Sequence, residues 1–265
     1  MKRICVIGDI HGRSNWQKID LSSYDRVVFM GDYFDPYDYN ITCDDIWDNF
    51  QKILELKKKD PLKIILLFGN HDYHYLPYAL DRYSRFSSKM ALDPKFEVGK
   101  TFEKLLQDGV LLLGYTEPGT KLFFIHATIS IPWYNLHVLK NEVKEAPITT
   151  IDNSDEARTR LAVALNVTPI GSYKYANASW DFYGYDPING PLWWRCKNEY
   201  GTRLQHKDIL KGIFQVNGHT QTGNLEIWNG IDDNVAFVDI LGQNKYTEIL
   251  VGDDGSVEFE EKQIC

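Results

Sequence analysis

The sequence predicts an α/β fold organised around a parallel sheet, and three observations predict it. Short apolar runs rich in Ile, Val, Leu and Phe occupy 3–7, 26–30 and 63–68, each closed by a glycine, Gly8, Gly31 or Gly69. Continuous apolar runs of this length suit strands buried on both faces. A helical segment, Asp44 to Lys59, lies between the second and third runs. Its residues Ile46, Phe50, Ile53, Leu54 and Lys57 keep helical spacing. Asp44 and Asp45 at its start and three lysines at its end complement the helix dipole. Strand, helix, strand with a sharp turn after each strand is a βαβ pattern. Polar residues just after such strands gather at the carboxyl edge of the sheet, where open α/β folds bind ligands.

The later chain continues the pattern with longer excursions. Runs at 121–125 and 213–217 read as further strands that end at His126 and just before His219. The whole of 1–265 is expected to form a single domain, with 73–109 and 133–211 as insertions acting as cap or lid elements. The first insertion reads as mainly helical, most clearly over 94–107. The second holds a helix over 154–166, stopped near Pro169. An aromatic stretch follows it: Tyr173, Tyr175, Trp180, Phe182, Tyr183, Tyr185, Trp193 and Trp194. Strands are expected at 225–228, 235–239 and 246–251, with a turn at Asp254-Gly255. No internal repeat or low-complexity tract occurs.

Composition narrows the class. At 265 residues, with 43% hydrophobic and 25% charged residues, the chain can bury a sizeable core. Aromatics reach 14%, more than a core needs, so some are expected to line a surface or pocket. The net charge of −8 argues against non-specific binding to duplex nucleic acid. Cys5, Cys43, Cys196 and Cys265 are scattered without a C-x-x-C pair, which argues against a structural zinc knot. Cys5 reads as a small core residue, and the setting as reducing and cytoplasmic. The apolar run after Met1 is too short for a secretory signal, and no stretch reaches the length of a membrane span.

Chemistry concentrates in five blocks: Gly8-Asp9-Ile10-His11-Gly12, Gly31-Asp32-Tyr33-Phe34-Asp35, Gly69-Asn70-His71-Asp72, His126-Ala127 and Gly218-His219-Thr220. Carboxylate, imidazole and amide oxygen are ligands that divalent transition metals accept. Asp9 and His11, two apart, can face one ion. Asp32 has two oxygens and can bridge a pair. The reading assigns Asp9, His11 and Asp32 to one ion and Asp32, Asn70, His126 and His219 to the other. Two ions about 3.5–4 Å apart clamp the attacking and leaving oxygens of a phosphoryl transfer. His71, beside Asn70, is the expected general acid, and Asp35 is placed to hydrogen-bond and aim it.

These motifs identify the chain as resembling the calcineurin-like metallophosphoesterase superfamily: G-D-x-H-G, G-D-x-x-D, G-N-H-[ED], a strand-end His and G-H-T. Within it, the chain is most similar to bacterial and phage members of the phosphoprotein-phosphatase type. The resemblance spans residues 8 to 220. It implies a four-layer α/β/β/α sandwich and a centre of two divalent metal ions, usually manganese, with iron or zinc as alternatives. It also implies the ligand assignments above and a phosphorylated substrate, a phosphoprotein or a nucleotide. Two residues depart from the pattern. Pro36 and Phe68 stand where phosphate-holding arginines are usual in the family. Arg195, Arg13 and Arg203 are the expected replacements, Arg195 first, because the guanidinium fork matches phosphate oxygens.

The expected activity is hydrolysis of a phosphate monoester by in-line attack of metal-bound hydroxide. Hydrolysis of nucleotides or dinucleotides is the alternative that the aromatics and the missing arginines favour. A non-catalytic metal-binding interaction module is a third reading. Other features have plainer explanations. His74, His137 and His206 read as surface or packing residues. Tyr33, Phe34, Tyr37 and Tyr39 either frame the cleft or wedge its loop. The basic stretch from Arg195 to Lys211 reads as a solvated face. Gly99-Lys100-Thr101 lacks the first glycine of a phosphate-binding loop, because Pro94 stands there.

Overall fold

Every second residue of the apolar runs faces a different core. In β1 (Lys2–Ile7), Ile4 and Val6 point to one side, while Cys5 and Ile7 point to the other. β2 (Arg26–Phe29) divides Val28 from Val27 and Phe29 in the same way. Alternation of this kind follows from the two-residue period of a strand, and burial on both faces explains the unbroken apolar runs. The protein is described by a computed structural model covering residues 1–77, 79, 87–139, 149–167, 184–197, 206–229 and 234–265.

After β2 comes α1 (Cys43–Lys59), which starts one residue before the sequence reading. Thr42 caps it: its hydroxyl accepts from the Asp45 N–H while the Asp45 carboxylate accepts from the Thr42 N–H. Such a cap stabilises a helix by about 1 kcal/mol. β3 (Ile64–Leu67) and the single turn α2 (Asn70–Tyr73) follow. The first insertion holds α3 (Ser88–Leu92) and α4 (Val98–Gln107). The helix expected from residue 94 begins only at Val98, because Glu97 adopts a left-handed φ of 45°.

Then come β4 (Leu111–Leu112), β5 (Gly114–Thr116), β6 (Leu122–Ile125), α5 (Ile131–His137) and α6 (Asp155–Val167). The chain closes with β7 (Phe214–Asn217), β8 (Glu226–Asn229), β9 (Asn234–Phe237), β10 (Lys245–Val251) and β11 (Val257–Gln263).

The strands form two sheets, ordered β11-β10-β1-β2-β3-β4 and β5-β6-β7-β9-β8. β1 to β4 run parallel, as do β6, β7 and β9, while the outer strands β10, β11, β5 and β8 run antiparallel to their neighbours. Ile4, Val6, Val28, Ile65 and Leu67 from one sheet meet Leu122, Phe124, Val216 and Ala236 from the other. Helices flank the two sheets, so the α/β/β/α arrangement expected from the sequence is the architecture of the chain. The carboxyl ends of β1, β2, β3, β6, β7 and β9 lead into Asp9, Asp32, Asn70, His126, His219 and Asp239. No helix among the described residues is long and apolar enough to cross a membrane.

One side reading is corrected, and others find their place. Lys197, placed on a solvated face by the sequence, is 4% exposed, pairs with Glu226 and lies over the Phe237 ring. Tyr33 and Phe34 are buried wedges, whereas Tyr37 is 42% exposed. Trp193 and Trp194 are core residues, and Tyr185 is half-buried. Tyr173, Tyr175, Trp180, Phe182, Tyr183 and Arg203 lie outside the described residues.

Candidate metal centre

Two loops are zipped together beneath the site. Ile10, His11 and Gly12 donate their N–H groups to the carbonyls of Gly31, Asp32 and Tyr33, at 3.2, 2.6 and 3.0 Å. The block after β1 therefore lies alongside the block after β2. Asp72 fastens the third block. Its Oδ2 accepts from the Asp32 and Gly69 N–H groups at 2.9 and 3.0 Å, and its Oδ1 accepts from Tyr33 N–H at 2.8 Å. Asp32 Oδ1 in turn accepts from His71 N–H at 2.8 Å. The sequence reading gave Asp72 no role; its place at the third position of a helical turn, after a glycine, was the available signal.

Four of the site residues hold a left-handed backbone: His11 at φ 45°, Asp32 at 50°, Asp35 at 59° and His219 at 57°. Non-glycine residues there cost on the order of 1–3 kcal/mol each and persist only where the surroundings impose them. The motif glycines are needed for a different reason, close approach. A Cβ at Gly69 would stand 2.1 Å from Asp32 Oδ1, and one at Gly218 would stand 2.2 Å from Asp9 Oδ1. Gly69→Ala should displace the Asp32 carboxylate and weaken metal binding roughly 10- to 100-fold. Calorimetric titration with Mn²⁺ checks this, and unchanged affinity would refute the steric account.

The three histidines proposed as ligands each have one ring nitrogen held by backbone carbonyls. His11 Nδ1 lies 3.0 Å from the carbonyl oxygens of both Phe34 and Asp35. His126 Nδ1 lies 2.7 Å from Met30 O, and His219 Nε2 lies 3.0 Å from Trp193 O. A carbonyl accepts only, so each of these nitrogens carries the proton. The opposite nitrogens, His11 Nε2, His126 Nε2 and His219 Nδ1, are left with lone pairs. Those lone pairs converge on acceptors. His126 Nε2 and His219 Nδ1 both lie 2.9 Å from Asn70 Oδ1, and His11 Nε2 and His126 Nε2 lie 3.5 Å from the two oxygens of Asp32. Acceptors gathered on acceptors repel one another unless cations lie among them, and this donor set fits divalent metal.

Two groupings share Asp32. Its carboxylate lies with His11 and His71 on one side and with His126 and His219 on the other, the ligand atoms of each grouping within 4.8 Å of one another. Asp9 accepts from His219 N–H at 2.8 Å through Oδ2, and its Oδ1 lies 3.9 Å from His126 Nδ1. All six proposed ligands, Asp9, His11, Asp32, Asn70, His126 and His219, are buried and come together. Asp239, which the sequence places as the last residue of a strand, lies two residues beyond β9 and is buried against Asp9. The signal was present: an acidic residue closing an apolar run, as at Asp9 and Asp32.

The electrostatics express crowding. Burial, with Asp239 and Asp32 close by, lifts the Asp9 carboxyl well above the ordinary carboxylate range. Burial also lifts Asp239, to about 6. Burial opposes charge on Asp32 as well, but His126, His71 and His11 outweigh it and hold Asp32 at about 2. Burial pushes His11 down to about 3 and takes His126 and His219 below the usual imidazole range, keeping the rings neutral as ligands must be.

His71 differs. Its Nδ1 lies 2.9 Å from Asp35 Oδ2, and its side chain keeps 16% exposure while Asp35 is fully enclosed. Burial disfavours the charged ring, yet the Asp32 charge and the Asp35 hydrogen bond prevail and raise its pKa. Arg195 is half-buried, with Nη2 3.4 Å from His219 O. Arg13 donates from Nη1 to Asp9 O at 3.1 Å and lies over the Tyr37 ring at 5.4 Å. Tyr37 also meets His11 edge-on at 4.7 Å. His74 is fully buried, stacks on Trp193 and forms a third carboxylate–imidazole grouping with Asp35 and His71, whereas His137 packs on Trp133. The His206 side chain lies outside the described ones.

Comparison with curated proteins found no match. Similar solved structures include a point mutant of a cold-active protein tyrosine phosphatase, at 18% identity and TM-score 0.49, covering 98% of this chain and 80% of that one. A Thermotoga maritima protein solved by NMR is similar at 13% identity and TM-score 0.37, covering 99% of each chain. The sequence profile of the calcineurin-like phosphoesterases matches residues 2–220, a span that includes all five motif blocks. With that match over most of its length and its motif blocks at the carboxyl ends of two facing sheets, the chain belongs to the calcineurin-like phosphoesterase family.

Proposed function

We propose that this phosphoesterase hydrolyses a phosphate monoester at a two-ion centre held by Asp9, His11, Asp32, Asn70, His126 and His219. The observation that carries the reading is the shared position of Asp32 between two ligand groupings, with the His71–Asp35 pair beside it. Two divalent ions bound there would draw negative charge from the phosphate oxygens and ready a water molecule for attack on phosphorus.

The chain's own residues do the rest. Asp32 fixes the spacing of the two halves of the site. The carbonyls of Phe34, Met30 and Trp193 hold the three imidazoles in the ligating tautomer. As the bond from phosphorus to the leaving oxygen breaks, its electron pair departs on that oxygen. His71 then supplies the proton, and Asp35 keeps the ring charged and aimed. Arg195 and Arg13 take the places of the two missing family arginines and favour the dianion of a monoester over the single charge of a diester.

Arg195→Ala should raise KM for a monoester about tenfold, as expected for loss of a charge-assisted hydrogen bond, with a smaller change in kcat. Steady-state kinetics check it, and an unchanged KM would assign the phosphate to another residue. The reading as a whole is tested by manganese-loaded protein on p-nitrophenyl phosphate against bis-p-nitrophenyl phosphate, with Asp32→Asn as the blank. A monoester preference supports it. A diester preference overturns it, and tight metal binding without turnover of either would favour an interaction module. Tyr37, exposed beside His11 and Arg13, favours a nucleotide as the second reading. Base-dependent inhibition by nucleoside monophosphates separates that reading from a phosphopeptide substrate.

A further inference from the structure

Asp35 aims the proposed acid and must itself be held in place. Its carboxylate is fully enclosed and has two oxygens to satisfy. Oδ2 faces His71 Nδ1 at 2.9 Å. Oδ1 accepts from the hydroxyl of Tyr75 at 2.5 Å. Tyr75 is 5% exposed, and its ring packs against Phe34, with centroids 5.3 Å apart, and against Phe102 of α4. Ser87, the cap of α3, donates its N–H to the same hydroxyl at 3.3 Å. The hydroxyl therefore links the first insertion to the catalytic edge. The backbone agrees with this seating: a Cβ at Gly99 of α4 would stand 2.5 Å from Tyr75 O, so the helix and the tyrosine are in close contact.

We propose that Tyr75 is a positioning residue for proton delivery, completing a His71–Asp35–Tyr75 chain in which the tyrosine hydroxyl fixes the Asp35 carboxylate and thereby the ring of His71. The inference rests on the reading of His71 as proton donor. It gives the first insertion a defined task. Ser87, Gly99 and Phe102 seat a tyrosine 40 residues along the chain from the carboxylate it holds. Removal of the hydroxyl leaves Asp35 Oδ1 enclosed without that donor, and the carboxylate can rotate away from His71. No proton leaves Tyr75 in the reaction. The proton that reaches the leaving oxygen is the one on His71.

The test is a leaving-group series on manganese-loaded protein, comparing an alkyl phosphate with p-nitrophenyl phosphate, whose leaving oxygen needs little protonation. Tyr75→Phe keeps the ring and removes only the hydroxyl. It should lower kcat about tenfold for the alkyl ester and about twofold at most for the nitrophenyl ester. That is a fraction of the roughly 10²- to 10⁴-fold a positioned acid supplies. KM and metal content should stay at wild-type values. In a His71→Ala background, adding Tyr75→Phe should cost nothing further, because the chain has no acid left to aim.

Equal loss for both leaving groups, or the same loss with and without His71, would assign Tyr75 a structural role and overturn the inference. Wild-type kinetics in Tyr75→Phe would overturn it alone, provided His71→Ala shows the leaving-group dependence. If His71→Ala itself shows none, the reading of the acid falls, and Tyr75 falls with it.

Discussion

Asp32→Asn should lower kcat by about 10³-fold or more and weaken binding of both ions. The replacement is isosteric, so the effect isolates charge and ligation. One Asp32 oxygen lies 3.5 Å from His11 Nε2 and the other 3.5 Å from His126 Nε2. An amide has a single oxygen, and its NH₂ would face one of the two groupings with donors where a cation needs a lone pair. On the proposed reading both ions share this carboxylate, so its replacement loosens both. Loss of one electrostatic contact to a transition state commonly costs 10²- to 10³-fold, and this change touches two sites. Turnover of p-nitrophenyl phosphate together with metal analysis after dialysis checks it. A wild-type rate in Asp32→Asn would refute the bridging role.

His71→Ala carries the second largest expectation, a loss of about 10²-fold or more with an alkyl phosphate. The loss should shrink with p-nitrophenyl phosphate, while metal content stays that of the wild type. The argument is geometric. His71 is hydrogen-bonded to Asp35 through Nδ1 and keeps partial exposure, while the three imidazoles proposed as ligands are buried with one nitrogen committed to a carbonyl. It is the ring in the site whose charged form its neighbours favour. Equal losses for every leaving group would count against a general acid, and a fall in bound metal would make His71 a ligand instead.

Much of the site was legible because its logic is local. A buried parallel strand announces itself as an unbroken apolar run, and the residue after it lies at the sheet edge wherever the strand sits in the sequence. That is why Asp9, Asp32, Asn70, His126 and His219 could be placed together from residues 210 positions apart. What stayed hidden depends on contacts between segments. The place of Asp72 in its turn explains the bond from Gly69, but only folding shows its carboxylate also gathering the N–H groups of Asp32 and Tyr33 from another block. Asn217 reads as a strand residue, yet its side chain donates to the carbonyls of Ile125 and Ala127 and so fixes the turn carrying His126.

Short strands were missed for a related reason. β4 has two residues and β5 three, too few to express a period. β11 escapes because four of its seven residues are charged and none is buried, as suits a strand at the edge of its sheet. Tyr75 shows the same limit. Forty residues separate it from Asp35, and nothing in the spacing distinguishes it from the other tyrosines of the chain.

The central claim is that one carboxylate joins two ions, and metal stoichiometry with electron paramagnetic resonance of the manganese-loaded protein tests it most directly. The account predicts two ions per chain with an exchange-coupled spectrum, and in Asp32→Asn loss of the coupling together with turnover. A fully active protein holding a single, uncoupled ion would contradict it.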